Sequence, residues 1–206
     1  MTERFDISGK WDYKLIDSEN TEVSSGSTTL PSTVSQMKIS PLNEERVDGY
    51  LGDPYKFEGS VVYSRKIELR KPETDEEFFL KLERTRISEV YINGKSAGTQ
   101  NSLCTSHRYN ITDLISDGEN DITVKVSNIG YPVPGGHMTS PDTQTNWLGI
   151  LGEMFISAEK KVRAEKIRVF PKFDESSIVI KGEMTACADV TVQVEGFKVE
   201  KFTAAE

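Results

Sequence analysis

Cysteine, histidine and tryptophan are scarce in this 206-residue chain, with two of each. Cys104 and Cys187 lie far apart, and neither has a CxxC partner or a histidine at zinc-finger spacing. Both therefore read as free thiols rather than parts of a disulfide frame or a metal clip. His107 and His137 belong to no HExxH pattern and sit beside no carboxylate at metal-ligand spacing, so neither a metal nor another cofactor is expected. Positive charge is short as well: 25 Lys plus Arg face 33 Asp plus Glu, a net charge of -8. A chain of that sign lacks the concentrated basic surface that phosphate contacts require, which excludes nucleic acid and favours neutral ligands. No stretch reaches the roughly 20 apolar residues that cross a bilayer, and Met1 to Tyr13 holds no apolar signal core. No membrane partner is expected, and a cytoplasmic location is the default, since a removed export signal would leave no trace.

Long amphipathic helices, internal repeats and low-complexity tracts are missing too. What is present has a period of two. In Asp121 to Ser127, Ile122, Val124 and Val126 alternate with Thr123, Lys125 and Ser127, giving one buried and one wet face. Upstream, Val61, Tyr63, Ile67 and Leu69 share a face, as do Phe78, Leu80 and Leu82. Arg65 and Arg84 fall on these apolar parities. A guanidinium buried unpaired is costly, so each should meet a carboxylate, such as Glu58 or Glu83, or carbonyls, or a wet cleft. Glu89 to Ile92 runs into Asn93-Gly94, a dipeptide suited to the positive φ angles of a tight hairpin, with Lys95 to Gly98 returning. Tyr109 to Leu114 reads as a strand end closing into one turn, and Met154 to Ile156 as a last strand. The polar runs Ser18 to Thr29 and Ser40 to Phe57 read as loops.

With 36% apolar, 28% charged and 9% aromatic residues, the chain has material for a sizeable core. Short strands between turn signals predict an all-β sandwich over residues 1–160. Glu159 to Lys166 reads as a connector. Residues 161–206 add short strands at Lys166 to Phe170, Ser177 to Lys181, Val190 to Glu195 and Phe197 to Phe202. That is about half of the roughly seven strands of an immunoglobulin-like sandwich, so the tail is either a partial domain, the favoured reading, or a small β appendage that packs on the first domain.

An ordered series of motifs resembles the sugar-binding domain of glycoside hydrolase family 2, the β-galactosidases, β-glucuronidases and β-mannosidases. It opens with Gly9-Lys10-Trp11 and Leu30-Pro31-Ser32-Thr33-Val34, where Ser32 replaces the family's glycine. Phe57 to Arg65 follows, with Tyr63 two residues before Arg65 and Val62 where a tryptophan is usual. Leu82-Glu83-Arg84, the Val90-Tyr91-Ile92-Asn93-Gly94-Lys95 hairpin with Gly98, then Ser102 to Asn128 keep the order, and Asp142 to Gly152 resembles the closing loop and strand. The series covers residues 9 to 156. The resemblance implies a jelly-roll, galactose-binding-domain-like β-sandwich followed by the start of an immunoglobulin-like domain. It also implies a parent enzyme whose catalytic (β/α)8 barrel lies elsewhere, exo-acting, with β-galactoside the leading substrate, and homo-oligomeric in some members.

Retaining glycoside hydrolysis requires two carboxyl groups about 5 to 5.5 Å apart. No such couple stands out here, and in this family both belong to the barrel, so no catalytic residue is expected in the chain. The glycine-rich, proline-flanked segment Gly135 to Trp147 suits substrate contact. Asp142, Gln144 and Asn146 can pair with sugar hydroxyls, Trp147 can take a sugar's C–H face, and His137 lies in the same loop. The plainer readings make Trp147 core, Asp142 a loop cap and His107 a pairing group within the sandwich. Two rival functions stay open: a free-standing carbohydrate-binding module, recognised by exposed aromatics on a concave face, and a scaffold that docks the barrel and touches no sugar.

Overall fold

A computed structural model describes residues 3–42, 53–132, 136, 138–139 and 146–204. In chain order the strands are β1 (Glu3–Asp6), β2 (Gly9–Asp17), β3 (Glu22–Leu30), β4 (Ser32–Thr33), β5 (Gly59–Leu69), β6 (Glu76–Thr85), β7 (Ile87–Ile92), β8 (Lys95–Gln100), β9 (His107–Asn110), β10 (Gly118–Ser127) and β11 (Gly149–Lys160), then β12 (Ala164–Lys172), β13 (Ser177–Met184), β14 (Ala188–Val192) and β15 (Glu200–Ala204). A four-residue helix, α1 (Val34–Met37), follows β4 and is closed at its start by a Thr33–Gln36 capping box. The strands build an all-β sandwich. One sheet has six strands in the order β3-β2-β5-β10-β7-β8; the other has β1-β11-β6-β9 with β4 also on β11. Beyond them β12 pairs with β13 and β14 with β15 as two separate hairpins.

Alternation in the sequence becomes the core. Trp11 and Leu15 on β2, Val61 and Tyr63 on β5, and Ile122, Val124 and Val126 on β10 are buried against Phe78, Leu80 and Leu82 on β6 and Ile150 and Ile156 on β11. Each such side chain contributes roughly 1.5–3 kcal/mol on leaving water, so the sandwich is held by its inner faces. The Asn93-Gly94 turn forms as expected, with φ of 53° and 75°. It is locked from behind: Asn93 Nδ2 donates to the Oδ1 of fully buried Asn120 at 2.8 Å, and Asp121 N donates to Asn93 Oδ1 at 2.9 Å.

Two expectations are corrected. The polar run from Ser18 to Thr29 is no loop, because Glu22 to Leu30 forms the edge strand β3, paired along β2 from Gly9 to Ile16. An edge strand with mostly exposed side chains needs backbone pairing but no apolar face, so period gave no sign of it. Of the Ser40 to Phe57 stretch, residues 43–52 lie outside the described residues. Arg84, placed on the apolar parity of β6, is instead exposed, though it meets Glu83 at 3.5 Å, one of the carboxylates expected for these arginines. Opposite it β11 carries a bulge, with Leu82 facing Met154 while Arg84 faces Leu151. Gly152, at φ 75°, makes the kink, and the Glu83 carboxylate accepts Glu153 N at 2.6 Å within it. Arg65 meets carbonyls, as one of its options allowed: Nη1 donates to Ile7 O at 3.2 Å and Ser8 O at 2.6 Å.

The outer side of the five-stranded sheet is closed by charge. Phe79 points outward yet is buried, because the Arg108 and Arg163 guanidinium carbons lie 3.3 and 5.1 Å from its ring centre. Between them Glu159 meets Lys81 at 2.9 Å and Arg108 at 2.7 Å, and accepts Ser157 Oγ at 2.7 Å. Arg163, just before β12, joins Glu77 and Glu165 at 2.6 and 2.7 Å. Burial pushes the Glu159 carboxyl up, but the hydrogen bonds from Lys81 and Ser157 and the charge of Arg108 outweigh it and hold it at about 2, against an ordinary 4.5. A depressed folded-state pKa means stability that is fully present above pH 4.5 and drains away as pH falls toward 2. At 1.36 kcal/mol per pH unit this is worth up to roughly 3 kcal/mol. Glu159→Gln should therefore lower stability at neutral pH and flatten the acid limb between pH 5 and pH 2, measured by urea unfolding across that range.

Candidate functional site at the closing loop

The loop between β10 and β11 is tied to the sandwich at both ends by buried polar side chains. At its start Asn128, 2% exposed, accepts Gly59 N at 2.9 Å and donates to Phe57 O at 2.7 Å and Asn146 O at 3.0 Å. One amide thus joins the entry to β5, the end of β10 and the return of the loop. All of its hydrogen-bonding atoms are used, which makes it a knot and not a reactive group.

Arg86, between β6 and β7, is the second tie and is only 1% exposed. Its Nε donates to Trp147 O at 2.9 Å and its Nη1 to Met138 O at 3.0 Å, and the guanidinium carbon lies 4.4 Å from the centre of the Trp147 ring. Among the described residues no carboxylate forms an ion pair with it. Burial pushes its pKa down from the ordinary arginine value, with the neighbouring Tyr131 acting in the opposite sense. The Tyr131 hydroxyl faces the guanidinium, yet among the described residues neither that hydroxyl nor Arg86 Nη2 completes a well-formed hydrogen bond. Asn146 Oδ1, in a side chain 8% exposed, also has no partner among the described residues. Among the described residues these polar atoms thus lack a well-formed hydrogen bond beside a buried charge, where unmet polar groups cost about 1–3 kcal/mol each.

Of the residues expected to face substrate, Asn146 and Trp147 are brought to this place, while His137, Asp142 and Gln144 lie outside the described residues. Trp147 is half-buried rather than core, and the Arg86 guanidinium stacks on its ring. Arg86, Asn128 and Tyr131 had no signal in spacing. Parity singled out Arg84, two residues early, and a lone asparagine or tyrosine after a strand is unremarkable by itself. Gly149, at φ 138°, lets the chain leave Trp147 and pass against β4, where a Cβ would lie 2.5 Å from Ser32 O.

His107 is fully enclosed. Its Nε2 pairs with Ser102 O at 2.9 Å and its Nδ1 with Ser88 Oγ at 2.5 Å, and Ser88 Oγ lies 2.6 Å from the Tyr109 hydroxyl. A serine beside a histidine invites comparison with a nucleophile and its base. Ser88 is 0% exposed, however, so no substrate reaches it, and burial keeps the imidazole pKa low. The group pairs within the sandwich, as expected. No cluster of three or more metal-ligating side chains occurs among the described residues.

No family model matches the chain. Two curated proteins are similar in sequence. The "Probable beta-mannosidase" of Caenorhabditis elegans is 28% identical over 130 residues, which is 61% of this chain and 14% of that protein. The "Putative beta-glucuronidase" of Formosa agariphila is 25% identical over 171 residues, 75% of this chain and 20% of that protein. The chain therefore spans a fifth or less of these relatives, and its homologues are glycoside hydrolases. Among solved structures, a beta-glucuronidase from an uncultured Clostridium species superposes with a TM-score of 0.68 at 18% identity, covering 98% of this chain and 38% of that one. A beta-glucuronidase of Faecalibacterium prausnitzii gives 0.68 at 16% identity, covering 99% and 40%. These likenesses establish the fold.

The two ties should be separable by mutation. Asn128→Asp removes both donors while keeping the shape, and should cost about 2–4 kcal/mol. Arg86→Met keeps bulk but leaves two carbonyls unmet and should cost about 1–3 kcal/mol. At roughly 2–4 °C per kcal/mol for a chain of this size, both are readable by thermal unfolding. Protease cutting between residues 131 and 147 should rise in each.

Proposed function

We propose that this chain is the non-catalytic leading part of a family 2 glycoside hydrolase, and that its β10–β11 loop forms part of the wall of an active site whose acid and nucleophile are carried by a separate barrel. The observation that carries the reading is the closing loop itself, anchored by Arg86 and Asn128 at one end of a sandwich of the kind found in β-glucuronidases, with unmet polar atoms on Arg86, Tyr131 and Asn146. The ordered motifs over residues 9 to 156 support the same family. Residues 1–160 would be its jelly-roll sugar-binding domain and residues 161–206 the opening strands of an immunoglobulin-like domain. In favour of the latter, Ile167, Val169, Phe170, Phe173 and Phe202 are exposed on the hairpins and call for further protein to cover them.

The non-catalytic role is supported by the acids. A glycosidase needs one carboxyl raised in pKa to act as general acid. Every described carboxylate that is moved from its ordinary range moves down: Asp6 through hydrogen bonds from Ser8, Asp75 through Lys160, Glu76 through Arg70, Glu22 through Ser25 and Lys14, and Glu159 as above. These are groups committed to staying charged. As for the sugar, the galactoside expectation rests on the composition of the closing loop, whereas the relatives are named for mannosides and glucuronides. The parent is then an exo-acting β-glycosidase acting on one of these three, with β-glucuronide favoured by the shared name of the sequence relative and the solved structures.

Nitrophenyl β-glucuronide, β-mannoside and β-galactoside should all resist the 206-residue chain, and the complete gene product should hydrolyse one of them. Turnover by the 206-residue chain would overturn the non-catalytic assignment. In the complete enzyme Asn146→Ala should raise KM roughly tenfold, the effect of one hydrogen bond to substrate, with a smaller change in kcat. An unchanged KM would instead make the domain a docking scaffold.

A further inference from the structure

The outer face of the six-stranded sheet carries a second concave feature, a depression of ≈ 340 Å³ where β5 begins and β10 ends. Ile16, Ile87 and Ile129 give it apolar lining, and Lys125, Ser60 and Thr99 supply hydrogen-bonding groups. Lys125 is the informative residue. It stands on a central strand, directly across from Val62 on β5 and Glu89 on β7. A lysine opposite a glutamate ordinarily pairs with it, but here the Glu89 carboxylate accepts the Tyr91 hydroxyl instead. The Lys125 ammonium, on a half-buried side chain, is left with no hydrogen bond or ion pair among the described residues.

Ser127 is engaged, its Oγ donating to Gly59 O at 3.2 Å, but other parts of the lining are uncommitted. The side chains of Ser60, Thr99 and Asn20 make no hydrogen bond to another described residue, and Asp17 uses Oδ1 on the backbone N–H groups of Glu19 and Thr21. An ordinary wet strand face is flat and its charges pair across strands. This one is hollow, keeps donors and acceptors both available, and has apolar patches between them. That combination suits a sugar ring, which offers hydroxyls at its edge and C–H groups on its face. Two carboxylates, Asp17 and Glu89, against one ammonium disfavour an anion.

We propose that this groove is a second saccharide site, binding one or two rings of a neutral glycan on the outer face of the sheet, apart from the closing loop. It takes from the reading above only the class of ligand. Lys125 and Thr99 donate to ring hydroxyls, Glu89 and Asp17 accept from them, and the isoleucines meet the C–H face.

The test is a titration of the 15N-labelled 206-residue chain with cellobiose, methyl β-galactoside and methyl β-mannoside. At least one should give saturable amide shifts at Asn20, Ile87, Thr99, Lys125 and Ile129. Lys125→Met, which keeps the stem over the sheet, should weaken binding at least tenfold, and Thr99→Val should weaken it in a chain whose fold is checked by the unchanged remainder of the spectrum. Absence of saturable shifts with all three sugars overturns the proposal. So do shifts confined to Asn146 to Ile150, or binding that persists undiminished in Lys125→Met. Because these shifts are read at the groove, they stand or fall independently of any KM response to Asn146 in the complete enzyme.

Discussion

A guanidinium withdrawn from water must be met by acceptors, and those that Arg86 uses are the main-chain carbonyls of the closing loop. The dependence runs both ways. Without the loop the arginine would be a buried charge facing nothing, and without the arginine the Trp147 and Met138 carbonyls would lose their donor. Asn128 repeats the logic with a neutral group, fixing the strand that enters the loop to the segment that leaves it. The end of the sandwich and the loop are therefore one cooperative piece. The atoms still unmet there, on Arg86, Tyr131 and Asn146, are what remains after the structural demands have been satisfied.

Those parts of the fold that depend on burying one face of a strand were legible in the sequence. Ile122, Val124 and Val126 alternate, so β10 was plain, and Asn93-Gly94 declared its turn because few other dipeptides tolerate two positive φ angles. What depends on pairing alone was hidden. The edge strand β3 has no buried face to announce it. A bulge leaves no mark in composition, and Arg84, on the parity of Leu80 and Leu82, is exposed opposite the one in β11. The site was legible in the same partial way. Asn146 and Trp147 were singled out by a resemblance and a loop composition, whereas the groups that hold them act through contacts across 18 and 61 residues of chain, beyond the reach of local spacing.

The acidic excess has a structural use that bears on function. Glu159, Glu76 and Glu77 each bind arginine or lysine, and Lys81 and Arg108 offset the burial of the Glu159 charge. Isolated surface pairs contribute little, but a partly buried network that also screens Phe79 is different, since breaking one member strands the others. Carboxylates tuned this way are poor proton donors at neutral pH.

The two sheets consequently differ on their outer sides. On the five-stranded sheet, Phe79 and Phe155 are roofed by Arg108, Arg163, Arg4 and Lys81, so that face is spent on holding the molecule together. On the six-stranded sheet the outward positions of β5 and β10 include Ser60 and Ser127, short side chains that line a hollow rather than fill it. Period-two geometry forces every inward residue to have an outward neighbour. Where those neighbours are long and charged they pair and seal the surface. Short polar ones offer a lysine no counter-charge, and the half-buried ammonium of Lys125, with its opposite carboxylate already engaged by Tyr91, is left without an ion pair among the described residues.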